Sequence, residues 1–132
     1  MNIKDLLLET KVKDIMSRNL IAADPSTTIF QIAKMMEQGV GAILVKKDSV
    51  PTGIITDRDY AIKIAVNKLP GDTLVDKVAS YPLKTISAEE TVLAATKIMT
   101  SQKIRKIAVS ENNKIVGVIT STDIVNLIAS IE

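Results

Sequence analysis

The sequence predicts an α+β module made of two β-α-β-β-α repeats packed together by pseudo-twofold symmetry. Two observations point to it. Residues from Val12 to Ala65 can be laid on Val75 to Ala129, at an offset of 63 residues that becomes 64 after one extra residue near 100–104. Identical pairs include Leu20 with Leu83, Thr28 with Thr91, Lys34 with Lys97, Met36 with Met99, Ile43 with Ile107 and Val45 with Val109. Gly53 with Gly117, Thr56 with Thr120 and Asp59 with Asp123 complete the series. Within each copy, the apolar period also switches from helical to strand-like at the same places. A unit of this size buries little surface alone, so the two copies are expected to share a core.

Each copy opens with a short extended piece, Leu20–Ala22 or Leu83–Ile86. A helix is expected next. In copy one Asp24 offers an N-cap and Pro25 a first helical position; in copy two Ser87-Ala88-Glu89-Glu90 fits a capping box. Ile29, Ile32, Ala33 and Met36 have the i, i+3, i+4, i+7 spacing of a buried helix face, matched by Val92, Ala95 and Met99. Two strands then form a hairpin, Ala42–Lys46 with Gly53–Thr56 and Lys106–Ser110 with Ile115–Thr120. Polar loops, Lys47–Thr52 and Glu111–Lys114, join them. A last helix closes each copy, with Tyr60 and Ile64 inward in one and Ile124, Leu127, Ile128 and Ile131 inward in the other. The expected divisions are a lead-in over 1–11, repeat one over 12–66, a linker over 67–73 with the turn-forming Pro70-Gly71, and repeat two over 74–132.

Composition excludes most catalytic chemistry. The 132 residues include neither cysteine nor histidine. Disulfides, thiolate nucleophiles, imidazole bases and ordinary zinc sites are therefore absent, and no paired carboxylates suggest an enzyme. With 17 basic and 15 acidic residues, the net charge of +2 gives no broad footprint for nucleic acid. One Phe, two Tyr and no Trp leave few stacking platforms, so weak nucleic-acid binding rests on a pI of about 8.8 and the Lys103–Lys106 patch. The apolar run Leu6-Leu7-Leu8 is too short for a signal peptide or a membrane span, and a cytoplasmic protein is expected.

The repeated chemistry lies at the end of the second hairpin strand. The pattern is Gly-x-x-Thr-x-x-Asp, Gly53 to Asp59 and Gly117 to Asp123. Thr as N-cap and Asp three residues on make a capping box. The same geometry also presents a helix N-terminus to an anion, and a carboxylate that can accept two hydrogen bonds from a vicinal diol such as a ribose. The threonine can cap the helix and touch a ligand at once.

These duplicated motifs resemble the tandem CBS domains, the paired unit called a Bateman module. The opening Val12-Lys13-Asp14-Ile15-Met16-Ser17 and the run Ile104-Arg105-Lys106-Ile107-Ala108-Val109 add to the likeness, which covers about residues 10–131. The resemblance implies a non-catalytic regulatory module. It needs no obligatory cofactor and binds an adenosyl ligand (AMP, ADP, ATP, S-adenosylmethionine or a dinucleotide) in the clefts between repeats. Asp59 and Asp123 would hold ribose hydroxyls, with Thr56 and Thr120 beside them. Ile21, Ala22, Val40 and Ile55 would flank adenine in one half, and Thr85, Ile104 and Ile119 in the other. Arg105 and Lys106 would meet phosphate, with Arg58 a second candidate. The positions matching Arg105 and Lys106 in copy one are Gly41 and Ala42, which carry no charge. A phosphate-rich ligand is thus expected at copy two. The resemblance also implies a homodimer paired through helices, here Ala88–Ser101 and Ser121–Ser130, and an effector protein as recipient of the signal. A ligand-independent dimerisation module is the alternative.

Overall fold

Two tight hairpins organise the chain. In the computed structural model, which describes residues 1–131, the turns are Asp48-Ser49 and Asn112-Asn113. All four residues have positive φ, between 51° and 65°. Asp and Asn tolerate that region best, and two such residues give the turn whose twist matches the flanking strands. The strands consequently run further than expected, and the broad loops shrink to two residues each. Strands β2 (Ala42–Lys47) and β3 (Val50–Thr56) form the first hairpin, and β5 (Lys106–Glu111) and β6 (Lys114–Thr120) the second. Each hairpin carries a bulge at the same place, Val45/Lys46 and Val109/Ser110.

The described residues fall into two compact units that are not cut at the repeat boundaries: Ile21–Leu83, and Met1–Leu20 with Lys84 onward. In Ile21–Leu83, β1 (Ala22–Ala23) lies parallel to β2, giving the sheet order β1-β2-β3. Helix α3 (Ile29–Glu37) and a helical segment that starts as α4 (Asp57–Asp59) and widens to π geometry over Tyr60–Ala65 belong to this unit. Its core gathers Ala23, Ile29, Ile32, Ile43, Val45, Ile55, Ile64, Val75 and Val78. Each fully covered isoleucine there contributes about 1.5–3 kcal/mol.

The second unit repeats the plan with β4 (Thr85–Ser87) parallel to β5, helix α5 (Val92–Gln102) and helix α6 (Ser121–Ala129). Its core holds Ile86, Ala88, Val92, Ala95, Met99, Ile107, Val109, Ile119 and Ile124 together with Leu7, Val12 and Met16. The last three come from α1 (Ile3–Glu9), from α2 (Val12–Ile15) and from the residue after it. The N–H groups of Val12 and Lys13 donate to Glu90 O and Ala88 O at 2.9 and 3.1 Å. Lys11 and Lys13 each reach Glu89 at 2.8 Å. The lead-in of repeat one thus completes the core around repeat two's sheet. Its counterpart after the linker, Val75–Leu83, completes repeat one's unit.

Three expectations need correction. Helix α3 starts at Thr28, whose side chain caps Gln31 N–H while Gln31 caps Thr28 N–H. Asp24-Pro25 instead forms a turn closed by Thr27 N–H to Asp24 O at 3.0 Å. Likewise α5 starts at Thr91, and Ser87 to Glu90 is a turn after β4. In both copies a Pro or a Ser-Glu pair mimics a start signal, but the chain must turn off the short strand before it can enter the helix. The third concerns Ile131, which is exposed because α6 ends at Ala129.

Candidate functional site

The glycine that opens each motif is explained by packing. Ser17 pairs with Val118 through two hydrogen bonds of 2.9 Å, and Ser80 pairs with Ile54 through bonds of 2.8 and 3.1 Å. Each lead-in therefore pairs with the edge strand of its sheet beside the motif glycine. A Cβ on Gly117 would stand 2.6 Å from Ser17 O, and one on Gly53 would strike the Tyr81 ring. Any side chain there would displace the lead-in.

Three residues beyond each glycine, the strand becomes a helix. In the first unit Thr56 Oγ1 accepts from Asp59 N–H at 3.3 Å, while Asp59 Oδ2 accepts from Thr56 N–H at 2.9 Å and from the Thr56 hydroxyl at 3.2 Å. The second unit copies the main feature. Asp123 N–H donates to Thr120 Oγ1 at 3.2 Å, and Thr120 N–H donates to Asp123 Oδ2 at 2.8 Å. The capping box is thus present twice. Each carboxylate is half-buried and fixed at the mouth of a helix, where the free N–H groups favour negative charge.

The carboxylates differ in their outer oxygen. Asp59 Oδ1 accepts from Ser80 Oγ at 3.3 Å and lies 3.5 Å from Lys63 Nζ. Lys63 Nζ also donates to Ser80 Oγ at 3.0 Å and to Val78 O at 3.1 Å. Asp123 Oδ1 meets no protein donor among the described residues. Sequence reasoning missed Lys63 and Ser80. Lys63 stands four residues after Asp59, a spacing that brings side chains together on a helix, whereas the same place after Asp123 holds Leu127. Ser80 is 21 residues from Asp59, and no local signal marks it.

The remaining candidates sort by burial. Ile55 and Ile119 are fully covered inside their own units' cores. Expected at the adenine, they are core residues instead: both alternate inward on strands whose inner face is filled by helix side chains. Ile21, Ala22, Val40 and Ile104 are half-buried and Thr85 is exposed, which leaves each some surface. In the second unit the ladder sets Lys106 opposite Thr120, and Ser121 N–H donates to Arg105 O at 2.9 Å. Arg105, Lys106, Thr120 and Asp123 therefore meet at one end of one sheet, with Arg105 exposed and Lys106 half-buried. The corresponding end of the first unit has Ala42 opposite Thr56, and Gly41 O accepting from Asp57 N–H at 3.3 Å. Its only basic candidate is Arg58, exposed in the first helical turn.

The described residues gather no three acidic side chains that could hold a metal ion, and no helix among them is long and apolar enough to cross a membrane.

Comparison with known proteins agrees with this layout. The CBS domain model matches residues 12–65 and again 75–130. An uncharacterized protein of Methanopyrus kandleri is 34% identical over 129 residues, which make up 92% of this chain and 66% of that protein. This chain therefore spans just under two thirds of that relative. The CBS domain-containing protein YhcV of Bacillus subtilis is 31% identical over 116 residues, 87% of this chain and 83% of its own. Among solved structures, the CBS domain pair of protein MJ0100, in complex with 5′-methylthioadenosine and S-adenosyl-L-methionine, superposes with a TM-score of 0.80 at 26% identity. The superposition covers 91% of this chain and 96% of that one.

Proposed function

The chain belongs to the CBS-domain family, as a tandem pair of a kind that serves regulation, and on that premise we propose that it is a non-catalytic sensor of an adenosyl ligand. The observation that carries the proposal is the carboxylate of Asp123. One of its oxygens is spent on the Thr120 N–H and the other is open to a diol. A ribose supplies two adjacent hydroxyl donors, and a carboxylate fixed by a capping box receives them with little further ordering cost. Half-buried Ile104 and exposed Thr85, at the same end of the sheet, provide surface for the base, and Arg105 and Lys106 provide charge for phosphate. The adenosyl compounds in the MJ0100 structure support the ligand class.

Sensing requires that the ligand bind two arrangements of the protein unequally, since equal binding shifts nothing. The recipient is taken to be an effector protein, and the active species a homodimer. Exposed Val125 on α6 offers apolar surface for self-association, and so do Phe30 and Ile62 on the helices of the first unit and Val66 just after the second of them. Isothermal titration of the wild type and of the Asp59→Ala/Asp123→Ala double variant with AMP, ATP and S-adenosylmethionine tests the reading. Binding in the wild type that is lost in the double variant is expected; equal heats from the two would exclude the ribose contact at Asp123. A tight dimer in sedimentation, unmoved by any of the three compounds, would favour ligand-independent association instead.

A further inference from the structure

The two aspartates carry different loads, and the difference can be counted. An ionised carboxylate offers about four lone-pair sites. At Asp59 three protein donors address them, Thr56 N–H, the Thr56 hydroxyl and the Ser80 hydroxyl, at 2.9, 3.2 and 3.3 Å, and the Lys63 ammonium stands 3.5 Å from the carboxylate as an ion pair. The Asp59 side chain retains only 17% exposure. At Asp123 the donor among the described residues is Thr120 N–H alone, at 2.8 Å. We propose that Lys63, working through Ser80, withholds Asp59 from sugar hydroxyls, so that the chain takes a single adenosyl ligand at Asp123. The proposal rests on the adenosyl reading and adds to it a residue that sets which site fills.

Lys63 suits this role because its contacts form a closed set. Its ammonium bridges Asp59, the Ser80 hydroxyl and the Val78 carbonyl, tying the helix that follows β3 to the segment that pairs with the edge of β3. A ribose arriving at Asp59 would have to replace a charge-assisted contact and a hydroxyl contact with two neutral ones, an unfavourable exchange. The π geometry over Tyr60–Ala65 falls on this same segment, whereas α6 is a regular helix. In the second unit Ser17 Oγ instead accepts from Asn19 N–H at 3.3 Å, and Leu127 replaces the lysine, so among the described residues nothing equivalent reaches Asp123. The charge of Arg105 lies in that same unit, so the open carboxylate and the phosphate-binding charge coincide.

Calorimetric titration of the full chain with AMP, together with amide exchange of the ligand-free protein, tests the proposal. The wild type should take up one AMP per chain. Asp59→Ala should leave that uptake intact, and Asp123→Ala should weaken it at least tenfold. Lys63→Met should create a second site. Without nucleotide, Lys63→Met and Ser80→Ala should each speed exchange across residues 78–83 by tenfold or more. Two equal sites in the wild type, loss of binding in Asp59→Ala, or a single site in Lys63→Met would overturn the proposal while leaving adenosyl binding in place. Unchanged exchange over 78–83 in both variants would overturn the tether whatever the calorimetry gives. Absence of heat from every protein, with AMP, ATP and S-adenosylmethionine alike, would remove the adenosyl reading and the single-site proposal together.

Discussion

The carbonyl oxygen of Ser17 lies where a Cβ on Gly117 would come to 2.6 Å from it. That carbonyl is held in place by Val118 N–H at 2.9 Å, so it cannot yield cheaply. Gly117→Ala is therefore expected to destabilise the protein by about 1–3 kcal/mol, the usual cost of forcing an extra carbon into packed space. Gly53→Ala is expected to cost less, because its nearest obstacle is the side chain of Tyr81, which is partly exposed. Urea unfolding of the two variants measures the order, and midpoints equal to that of the wild type would show that the lead-ins do not press on the motif glycines.

The helix starts give a second test. Thr28→Ala and Thr91→Ala should each cost about 1 kcal/mol, the ordinary loss for an N-cap. Asp24→Ala should be milder, because Asp24 lies in the turn four residues before the true cap. Thermal denaturation of the three variants checks this, and a larger loss at Asp24 than at Thr28 would contradict the observed start.

These helix starts also mark how far the sequence could be read. The duplicated Gly-x-x-Thr-x-x-Asp marked where each second hairpin strand ends and each last helix begins, because capping box, strand pattern and turn residues all agreed locally. Thr28 and Thr91 were among the identical pairs, yet the Asp24-Pro25 and Ser87-to-Glu90 signals upstream are stronger as isolated strings. Tertiary context decided against them. The exchange of lead-ins could not be read at all: it depends on Ser17 meeting Val118 and Ser80 meeting Ile54, pairings that no local pattern encodes. At the site the threonine–aspartate pairs were legible, and so was the uneven charge of Arg105 and Lys106 against Gly41 and Ala42. The inward turn of Ile55 and Ile119 was obscured because apolar strand residues look alike whether they wall a ligand or fill a core.

Glu89 supplies a pH test. Hydrogen bonds from Lys11 and then Lys13 hold its carboxyl down at about 2, against an ordinary value of 4.5, and Glu89 in turn raises the Lys13 ammonium. A lowered carboxyl stabilises the fold fully above its unfolded value and loses that effect as pH falls through the folded one. The anchoring of residues 11–13 should thus be complete above about pH 4.5 and fade towards pH 2. NMR titration of the Glu89 carboxyl should show the low midpoint in wild type and an upward move in Lys11→Met/Lys13→Met. A wild-type midpoint at the ordinary value would refute the anchor. High salt should weaken the effect, since all three side chains are well exposed.

Arg105 should discriminate by phosphate. Arg105→Ala is expected to lower affinity for ATP about tenfold, roughly 1.4 kcal/mol, and to leave adenosine almost unaffected. Competition binding at low ionic strength reads the difference. An equal loss for both compounds would move the phosphate contact elsewhere.

The most direct measurement is a crystal structure of the protein grown with AMP, or as purified with any ligand it retains. Both ribose hydroxyls are expected about 2.7 Å from the Asp123 carboxylate, with Thr120 alongside. An adenosyl ligand seated away from Asp123, its sugar facing solvent, would contradict the account.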